Sequence, residues 1–303
     1  MDVLNFEDQL WGEDYYYTAV EGTIQIYLTL HDNPSILKEK EEPDYSKMTA
    51  AERKKAKAIA RKKRAQAEKR EAEKKKKEKE SAENGGGQKN SPKDGEKLSL
   101  IEEDPEGKEL LKTDSLEEAR KYSTILSKYC PKRLGAWNLQ YDVAIRRKKV
   151  LLALQALVKM RKLDPNSAGY ISRLVDFALK VPSFDISGAA KNVAVDECNK
   201  LLDGKPVAEL VTELSAQARL DPSTPLDLRI VIAEGLVSTK AEPASKAASM
   251  IVDGGSQMRG LNIDSCRAAL VSLECFGNES SITKWIRFVK ERYPFVDDFG
   301  LKL

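Results

Sequence analysis

The feature that most constrains the fold is the spacing of apolar residues after Ser115, which recur every three or four positions. Such spacing places apolar side chains along one face of an α-helix, whereas strands alternate with a period of two. Period-two alternation is nearly absent, so the sequence predicts an all-α protein. The clearest stripes are Ile171, Leu174, Val175 and Ala178; Leu210, Val211, Leu214 and Ala218; Leu226, Ile230, Ala233 and Val237; and Ile282, Trp285, Ile286, Val289 and Tyr293.

Two similar four-residue segments indicate that the helices form repeats. Leu163-Asp164-Pro165-Asn166 and Leu220-Asp221-Pro222-Ser223 each follow an apolar stripe. Proline just past a stripe ends a helix, and we expect Thr224 to cap a new helix whose first residue is Pro225. Helical hairpins that end alike and follow one another are typical of an α-solenoid. We therefore predict an α-α superhelix rather than one closed bundle.

One hairpin fits the tetratricopeptide pattern in part. Trp137 and Ala153 are sixteen residues apart, and Ala153 and Pro165 are twelve apart, as are the aromatic, small and proline positions of that repeat. Tyr141 and Met160 stand where the repeat has small residues, so the hairpin is predicted to be a degenerate repeat. The alternative is an ordinary helical hairpin with a chance tryptophan. Either reading implies a packing scaffold.

The first 46 residues are predicted to form a helical hairpin that continues the repeat array. Its second helix is expected over Tyr15–Leu30, where apolar positions recur at helical spacing. The aromatic residues Phe6, Trp11 and Tyr15 to Tyr17 are available to pack on that face. His31, which precedes Asn33-Pro34, is expected at the C-cap of the helix or in another hydrogen-bonded structural position. The predicted stripe is Ala19, Thr23, Ile26 (or Tyr27) and Leu30.

Positive charge is concentrated in one segment. Residues 53–79 hold 15 Lys and Arg against 4 Glu, a net charge of +11, whereas the whole chain carries +3. The segment is built from strong helix formers without Pro or Gly, and Thr49 with Glu52 forms a capping box. Alanine recurs every seven residues without a second apolar seam, which excludes a zipper. We predict one long projecting basic helix over residues 47–83.

The remaining domain boundaries follow from composition. Residues 84–114 begin with a segment rich in Gly, Ser, Asn and charge, which is typical of a flexible linker. Residues 115–303 have the composition of a folded domain and carry the apolar stripes. We therefore predict a linker over 84–114 and a C-terminal helical-repeat domain over 115–303.

The residue inventory argues against an enzyme. A single histidine excludes a multi-histidine metal site and most histidine-based triads, and phosphate-binding glycine motifs are absent from the sequence. The longest apolar stretch is far shorter than a bilayer span, and the acidic N-terminus does not resemble a signal peptide, so we expect an intracellular protein. Reduced, mostly buried thiols are expected of its four cysteines, Cys130, Cys198, Cys266 and Cys275.

The first half of the basic helix, together with Lys69 and Arg70, is the candidate site for a polyanion. It lacks interleaved aromatic residues, so we expect contacts to RNA phosphates that are salt-dependent and weakly sequence-specific, without DNA sequence specificity. Alternatively, the helix is a solvated charged face, or it binds an acidic protein surface or an import receptor that reads Arg61–Arg64. The candidate residues are Arg53, Lys54, Lys55, Lys57, Arg61, Lys62, Lys63, Arg64, Lys69 and Arg70.

Several motifs in their observed order resemble a known family. FEDQL, YYYTAVEGTIQIYLTLHDNP, KMTAAERKKAKAIARKKRAQAEK and EEDPEGKELLKTDSLEEARKY together resemble the C-terminal third of the auxiliary subunit of the N-terminal acetyltransferase A complex. The resemblance is strongest from Phe6 to Pro34 and in the basic helix, and it is looser after about Val181.

The resemblance implies a non-catalytic, tetratricopeptide-rich superhelix. In this family the superhelix wraps a catalytic subunit that uses acetyl-CoA, and holds it at the ribosome exit tunnel for co-translational acetylation. The family's ribosome-docking helix corresponds here to Arg53–Arg70. These properties imply a cytoplasmic, ribosome-associated protein. The stretch Arg61–Arg64 predicts a nuclear pool as well, and the sequence patterns above predict neither membrane contact nor a cofactor.

Two details limit what the resemblance implies. Family members carry further repeats before the position of Met1, and these supply most of the contact with the catalytic subunit, so weakened binding of that partner is expected. The chain also does not match the turn that binds acetyl-CoA in acetyltransferases, which argues against catalysis by the chain itself. The nearest counterparts of that turn, Gln9–Asp14 and Gln257–Asn262, lack the final small residue and any preceding strand pattern.

Overall fold

A computed structural model describes residues 13–34 and 113–296. Within these ranges the chain forms eleven α-helices and two short 3-10 turns and contains no strand, which confirms the all-α prediction. The predicted basic helix over 47–83 lies outside the described residues, as does the linker over 84–114 except at its end. The helices are α1 Asp14–Asp32, α2 Ser115–Tyr129, α3 Leu134–Arg146, α4 Val150–Leu163, α5 Ala168–Lys180, α6 Ala189–Leu201, α7 Val207–Leu220, α8 Leu226–Ser238, α9 Ala244–Val252, α10 Ile263–Phe276 and α11 Glu279–Arg292.

Most consecutive helices pack against each other, around two apolar clusters that meet at α3. Short turns connect α2 to α3 and α3 to α4, and the Arg147 guanidinium just after α3 donates to Glu117 in the first turn of α2 at 3.0 Å. Helix α3 has two buried sides. Leu139 and Val143 pack with α1 and α2, whereas Tyr141 packs with the helices that follow. In a helical-repeat superhelix, each helix is covered on two sides by its neighbours along the chain, as α3 is here.

Helix α1 is present as predicted, but its predicted buried stripe is only partly right: Tyr27, the alternative to Ile26, is buried, and Leu30 is partly buried against the core. Val20 and Ile24 point into the core, whereas Ala19 and Ile26 of the predicted stripe are exposed. The predicted stripe also included Thr23, whose hydroxyl donates to the Ala19 carbonyl within α1. Aromatic side chains bury more apolar area, and the face that carries three tyrosines is the one that packs. The buried residues are Tyr16, Tyr17, Val20, Ile24, Tyr27 and Leu28.

The hairpin of α3 and α4 has the predicted key residues at its packing positions. Ala153 is fully buried, Trp137 is half-buried against the core, and Pro165 follows the end of α4. Tyr141 is buried in place of a small residue, and its hydroxyl donates to the Asp176 carboxylate of α5 at 2.7 Å. Met160 is also fully buried. Large side chains thus occupy positions where a regular repeat has small ones.

The two similar turns share two hydrogen bonds, and the Asp221 carboxylate also accepts from the Ser223 hydroxyl at 2.7 Å. The carboxylates of Asp164 and Asp221 each accept the main-chain N–H two residues ahead, at 3.0 and 2.9 Å. The hydroxyls of Ser167 and Thr224 each donate to the carbonyl of that aspartate, at 3.0 and 2.8 Å. These are Asx turns, in which the aspartate side chain replaces a main-chain acceptor. The repeated helix ending predicted from the sequence is therefore confirmed.

The predicted cap of α8 is wrong. Thr224 uses its hydroxyl within the turn, and α8 begins at Leu226 with Pro225 at the N-cap. The Leu226 N–H donates to the Arg259 carbonyl at 3.0 Å, so a distant loop takes the place of a local cap. Helix α8 is buried on nearly all sides by α5, α7, α9 and α10, and only part of this burial is visible as the predicted stripe.

Candidate partner-binding surface

The sequence-predicted binding residues lie outside the described residues. The structure therefore tests none of them, and the predicted contact with a polyanion stays a prediction. They are Arg53, Lys54, Lys55, Lys57, Arg61, Lys62, Lys63, Arg64, Lys69 and Arg70. The described residues offer a different candidate surface, on the outer side of α1.

One end of α1 is fixed by Arg133, which immediately precedes α3. Its guanidinium lies over the Tyr17 ring, 4.4 Å from the ring centroid, and forms an ion pair with Asp14 at the start of α1. Cation–π contact and ion pairing thus act on the same side chain. Gly135 permits this close approach, because a Cβ atom there would lie 2.4 Å from the Tyr17 hydroxyl and 3.2 Å from a Glu21 carboxylate oxygen.

Burial governs the electrostatics of this junction. Desolvation, with Glu21 nearby, raises the pKa of Tyr17 to about 12. Burial also raises the pKa of Glu21, although Arg133 opposes this shift. Both shifts have the sign expected of groups held at a packed helix interface, and they favour the protonated forms.

Further along α1, aromatic stacking holds the helix against α2. The rings of Tyr27 and Tyr122 are stacked with their centroids 6.0 Å apart. Ile24 between the two junctions is fully buried. The orientation of α1 is therefore fixed at both ends, which also fixes what its opposite face presents.

The opposite face of α1 is an exposed apolar stripe. Tyr15 is 67% exposed and Ile26 is 62% exposed. Ala19 between them is exposed, and nothing lies within 4 Å of where a Cβ atom of Gly22 would be. The spacing of four, three and four places these residues on one line along the helix. We call Tyr15, Ala19, Gly22 and Ile26 the α1 outer stripe.

The polar residues beside the α1 outer stripe are satisfied within the helix. The hydroxyls of Thr18, Thr23 and Thr29 donate to the carbonyls four residues earlier, at 2.8, 2.9 and 2.8 Å. Small residues in the middle of a stripe allow a second helix to approach closely, and the larger side chains at the ends of the stripe can pack against that helix. The surface suits the side of another helix.

Sequence reasoning found part of this stripe but misjudged its role. Ala19 and Ile26 were placed on a helical face that was expected to be buried, whereas they face outward. The signal that could have corrected this is the presence of two apolar stripes on opposite sides of one helix, since only one of them is needed for the core.

The other candidate residues have structural positions. α1 ends at Asp32, so His31 lies exposed in its last turn rather than at the cap, because Pro34 forces the preceding residue out of the helical region. All four cysteines are free. Three of the four thiols are buried, as expected: burial raises the thiol pKa of Cys130, Cys198 and Cys266, whereas Cys275 is exposed.

Within residues 13–34 and 113–296, no group of His, Cys, Asp and Glu side chains is placed to hold a metal ion. In the same ranges, no helix is long and apolar enough to cross a bilayer.

Two comparisons with known proteins indicate the same family. Residues 1–160 match the family model described as N-terminal acetyltransferase A, auxiliary subunit. Over 184 residues the chain is 35% identical to the N-terminal acetyltransferase A complex auxiliary subunit NAA15 of Arabidopsis thaliana. That alignment covers 60% of this chain and 19% of the plant protein, so the chain spans about a fifth of its relative's length.

Proposed function

Because this chain belongs to the family of N-terminal acetyltransferase A auxiliary subunits, we propose that it is a non-catalytic scaffold for the catalytic acetyltransferase subunit. The observation that carries this proposal is the family match over residues 1–160, which include α1 and its outer stripe. An auxiliary subunit implies a catalytic partner. The apolar α1 outer stripe is the described surface that such a partner could cover without rearrangement of the core.

The size of the stripe supports a contact with a helix. The four positions span twelve residues, and the eleven steps from Tyr15 to Ile26 extend about 17 Å along the axis at 1.5 Å per residue, or roughly three turns. Tyr15 and Ile26 can each serve as a large anchor, and interface energy is concentrated in such anchors. A charge placed on this line would be desolvated on binding and would oppose it.

Co-purification with the catalytic subunit tests the scaffold. The full chain is co-expressed with the catalytic subunit, and Tyr15→Glu combined with Ile26→Glu is expected to reduce the recovered partner by about tenfold or more, since each change buries a charge. Leu220→Glu is the matched control, because Leu220 is an exposed leucine outside the family-matched residues and should leave recovery unchanged. Full recovery with the double variant would contradict the proposed role of the stripe.

We propose further that the segment with a net charge of +11 anchors the complex to the ribosome, so that acetylation is co-translational. Ribosomal RNA is the intracellular polyanion that matches such a charge density. Six to eight phosphate contacts would reduce the affinity by roughly three orders of magnitude or more between 50 and 200 mM salt. A cytoplasmic, ribosome-associated location is part of this proposal, with a nuclear pool directed by Arg61–Arg64.

Sedimentation with ribosomes tests the anchor. At low salt the chain should sediment with ribosomes, and replacement of Arg61, Lys62, Lys63 and Arg64 by Glu should release most of it. Replacement of Lys74, Lys75, Lys76 and Lys77 by Glu is the control, because acidic neighbours already partly neutralise that half, so the loss should be smaller. Equal behaviour of both variants would argue against a specific anchor. Binding that survives nuclease would favour the alternative, an acidic protein surface or an import receptor.

A further inference from the structure

Helix α4 exposes a face that combines leucine and lysine. Its solvent side carries Leu151, Leu152, Gln155, Lys159, Lys162 and Leu163, which we call the α4 outer face. Leu151 is 47% exposed, Leu152 is 42% exposed and Leu163 is 39% exposed, although Leu154 and Leu157 of the same helix are buried. At 100° per residue these six positions span about a third of the helix circumference, so they form one continuous strip.

The two charged side chains of the α4 outer face, Lys159 and Lys162, are both positive, and the exposed carboxylate of Asp164 just after α4 accepts the Asn166 N–H. Lys148 and Lys149 lie exposed just before α4, and Lys159 and Lys162 lie exposed near its end. Among the described residues none of these four lysines forms an ion pair. Arg161, which points to another side of the helix, is paired with Asp203 at 2.7 Å.

The position of the first two lysines makes an anionic partner favourable. Lys149 is the N-cap of α4, and the first turn of α4 contains no acidic residue. The N-terminal end of a helix carries a partial positive charge, which repels nearby cations. Carboxylates brought in by a partner would interact favourably with these lysines as well as with the helix end.

The leucines distinguish a protein partner from a nucleic acid. Phosphates would pair with the lysines but would leave Leu151, Leu152 and Leu163 in water. The Lys159 ammonium already lies 5.8 Å from the centroid of the Trp137 ring, so an apolar partner would extend an existing apolar surface. We propose that the α4 outer face binds an acidic amphipathic helix of another protein.

The dimensions of the surface specify this helix. Lys149 and Lys162 are about 20 Å apart along the axis at 1.5 Å per residue. The partner helix therefore needs about four turns, with carboxylates near both ends and apolar residues at spacings of three and four between them. This proposal does not depend on the scaffold function, because the α4 outer face is distinct from the α1 outer stripe.

A designed peptide tests the proposal. The probe is a fluorescent peptide of about 15 residues, built from Leu, Ala and Glu with the leucines on one helical face. Binding is measured by anisotropy on the full chain whose Arg61–Arg64 stretch is replaced by Glu, so that this stretch does not attract the probe. Replacement of Lys149, Lys159 and Lys162 by Glu should weaken binding by about tenfold or more, and Leu151→Gln with Leu152→Gln should do the same.

Three controls keep the test decisive. Lys191→Glu with Lys240→Glu changes exposed lysines elsewhere and should leave binding unchanged. A scrambled peptide, which has the same composition but no apolar face, should bind about tenfold more weakly. A probe with Lys in place of Glu should restore binding to the variant in which Lys149, Lys159 and Lys162 are replaced by Glu. The proposal is overturned if the scrambled peptide or an RNA of equal charge binds as tightly, or if saturable binding is absent.

Discussion

At the scale of single residues, the buried guanidinium of Arg229 connects the ends of two helices and one turn. Its guanidinium donates to the carbonyls of Ala218, Asp221, Thr224 and Met250, at 2.7, 2.9, 3.3 and 3.1 Å. These carbonyls belong to the ends of α7 and α9 and to the turn between α7 and α8, where helix dipoles favour a cation. Burial lowers the pKa of Arg229, but the aspartates nearby oppose the shift.

Loss of this side chain should destabilise the fold. Arg229→Met keeps most of the volume but leaves buried carbonyls without donors, so we expect a loss of about 3 kcal/mol in the free energy of unfolding. Arg259→Met is the control, because Arg259 is exposed and its side chain donates to the Ser223 carbonyl at 3.0 Å. The expected cost is below about 1 kcal/mol. Urea unfolding monitored by circular dichroism measures both, and equal costs would refute the assignment.

Glu242 makes stability depend on acidity. The Arg219 guanidinium donates to both oxygens of this carboxylate, at 3.0 and 2.6 Å, and Lys246 lies 3.0 Å away, which holds the pKa of Glu242 at about 2. A carboxyl with a lowered pKa stabilises the folded state while it is ionised. Its contribution is complete above a pH of about 4.5 and is lost as the pH falls toward about 2.

The variant Glu242→Gln should therefore lose roughly 1 to 2 kcal/mol of stability at pH 7. The difference from the wild type should shrink between pH 4.5 and 2, since the wild type loses the same contribution there. Unfolding with urea across this pH range provides the measurement. Glu274→Gln, an exposed change on α10, should cost less than about 0.5 kcal/mol and serves as the control. A constant difference for Glu242→Gln would contradict the prediction.

At the scale of elements, the two Asx turns should respond alike to substitution. Asp164→Ala and Asp221→Ala each remove the side-chain acceptor of the turn, and each should cost about 1 kcal/mol. Asp164→Asn and Asp221→Asn retain an acceptor oxygen and should cost only a fraction of this. Thermal or urea unfolding of the four single variants measures these costs. If the Asn variants were as damaging as the Ala variants, the charge of each aspartate rather than its hydrogen bond would stabilise the turn.

The sequence predicted helices better than it predicted what covers them. Leu163 and Leu220 end their helices as expected, because proline and the Asx turn act locally. The choice between Ala19 and Val20 as core residues could not be made from spacing, since α1 has two apolar sides and tertiary packing selects one. The N-cap of α8 depends on Arg259, and the burial of Arg229 depends on carbonyls from separate helices. Such contacts across the chain leave no local pattern.

At the scale of the whole molecule, two apolar clusters meet at α3. One cluster joins α1, α2 and one side of α3, and the other extends from α3 to α11. Helical-repeat proteins distribute stability over neighbouring contacts, so that one end can open while the other stays folded. The fully buried Ile24 and Leu236 lie in different clusters and offer a matched pair of probes.

Hydrogen exchange should report this division. Ile24→Ala removes core volume at about 2 to 4 kcal/mol and should accelerate exchange in α1 and α2 by about 30-fold or more, with α8 to α11 unchanged. Leu236→Ala should produce the opposite pattern. Acceleration of exchange throughout the molecule by Ile24→Ala would show instead that the clusters unfold as one cooperative unit.

The exposure of the cysteine thiols has a practical consequence. Three thiols lie within the packed helices, and Cys275 on α10 faces the solvent. A maleimide dye added to the native protein should therefore attach at one position, without prior removal of the other cysteines. A second dye on a binding partner would then report, by resonance energy transfer, how near the far end of the superhelix comes to that partner during assembly.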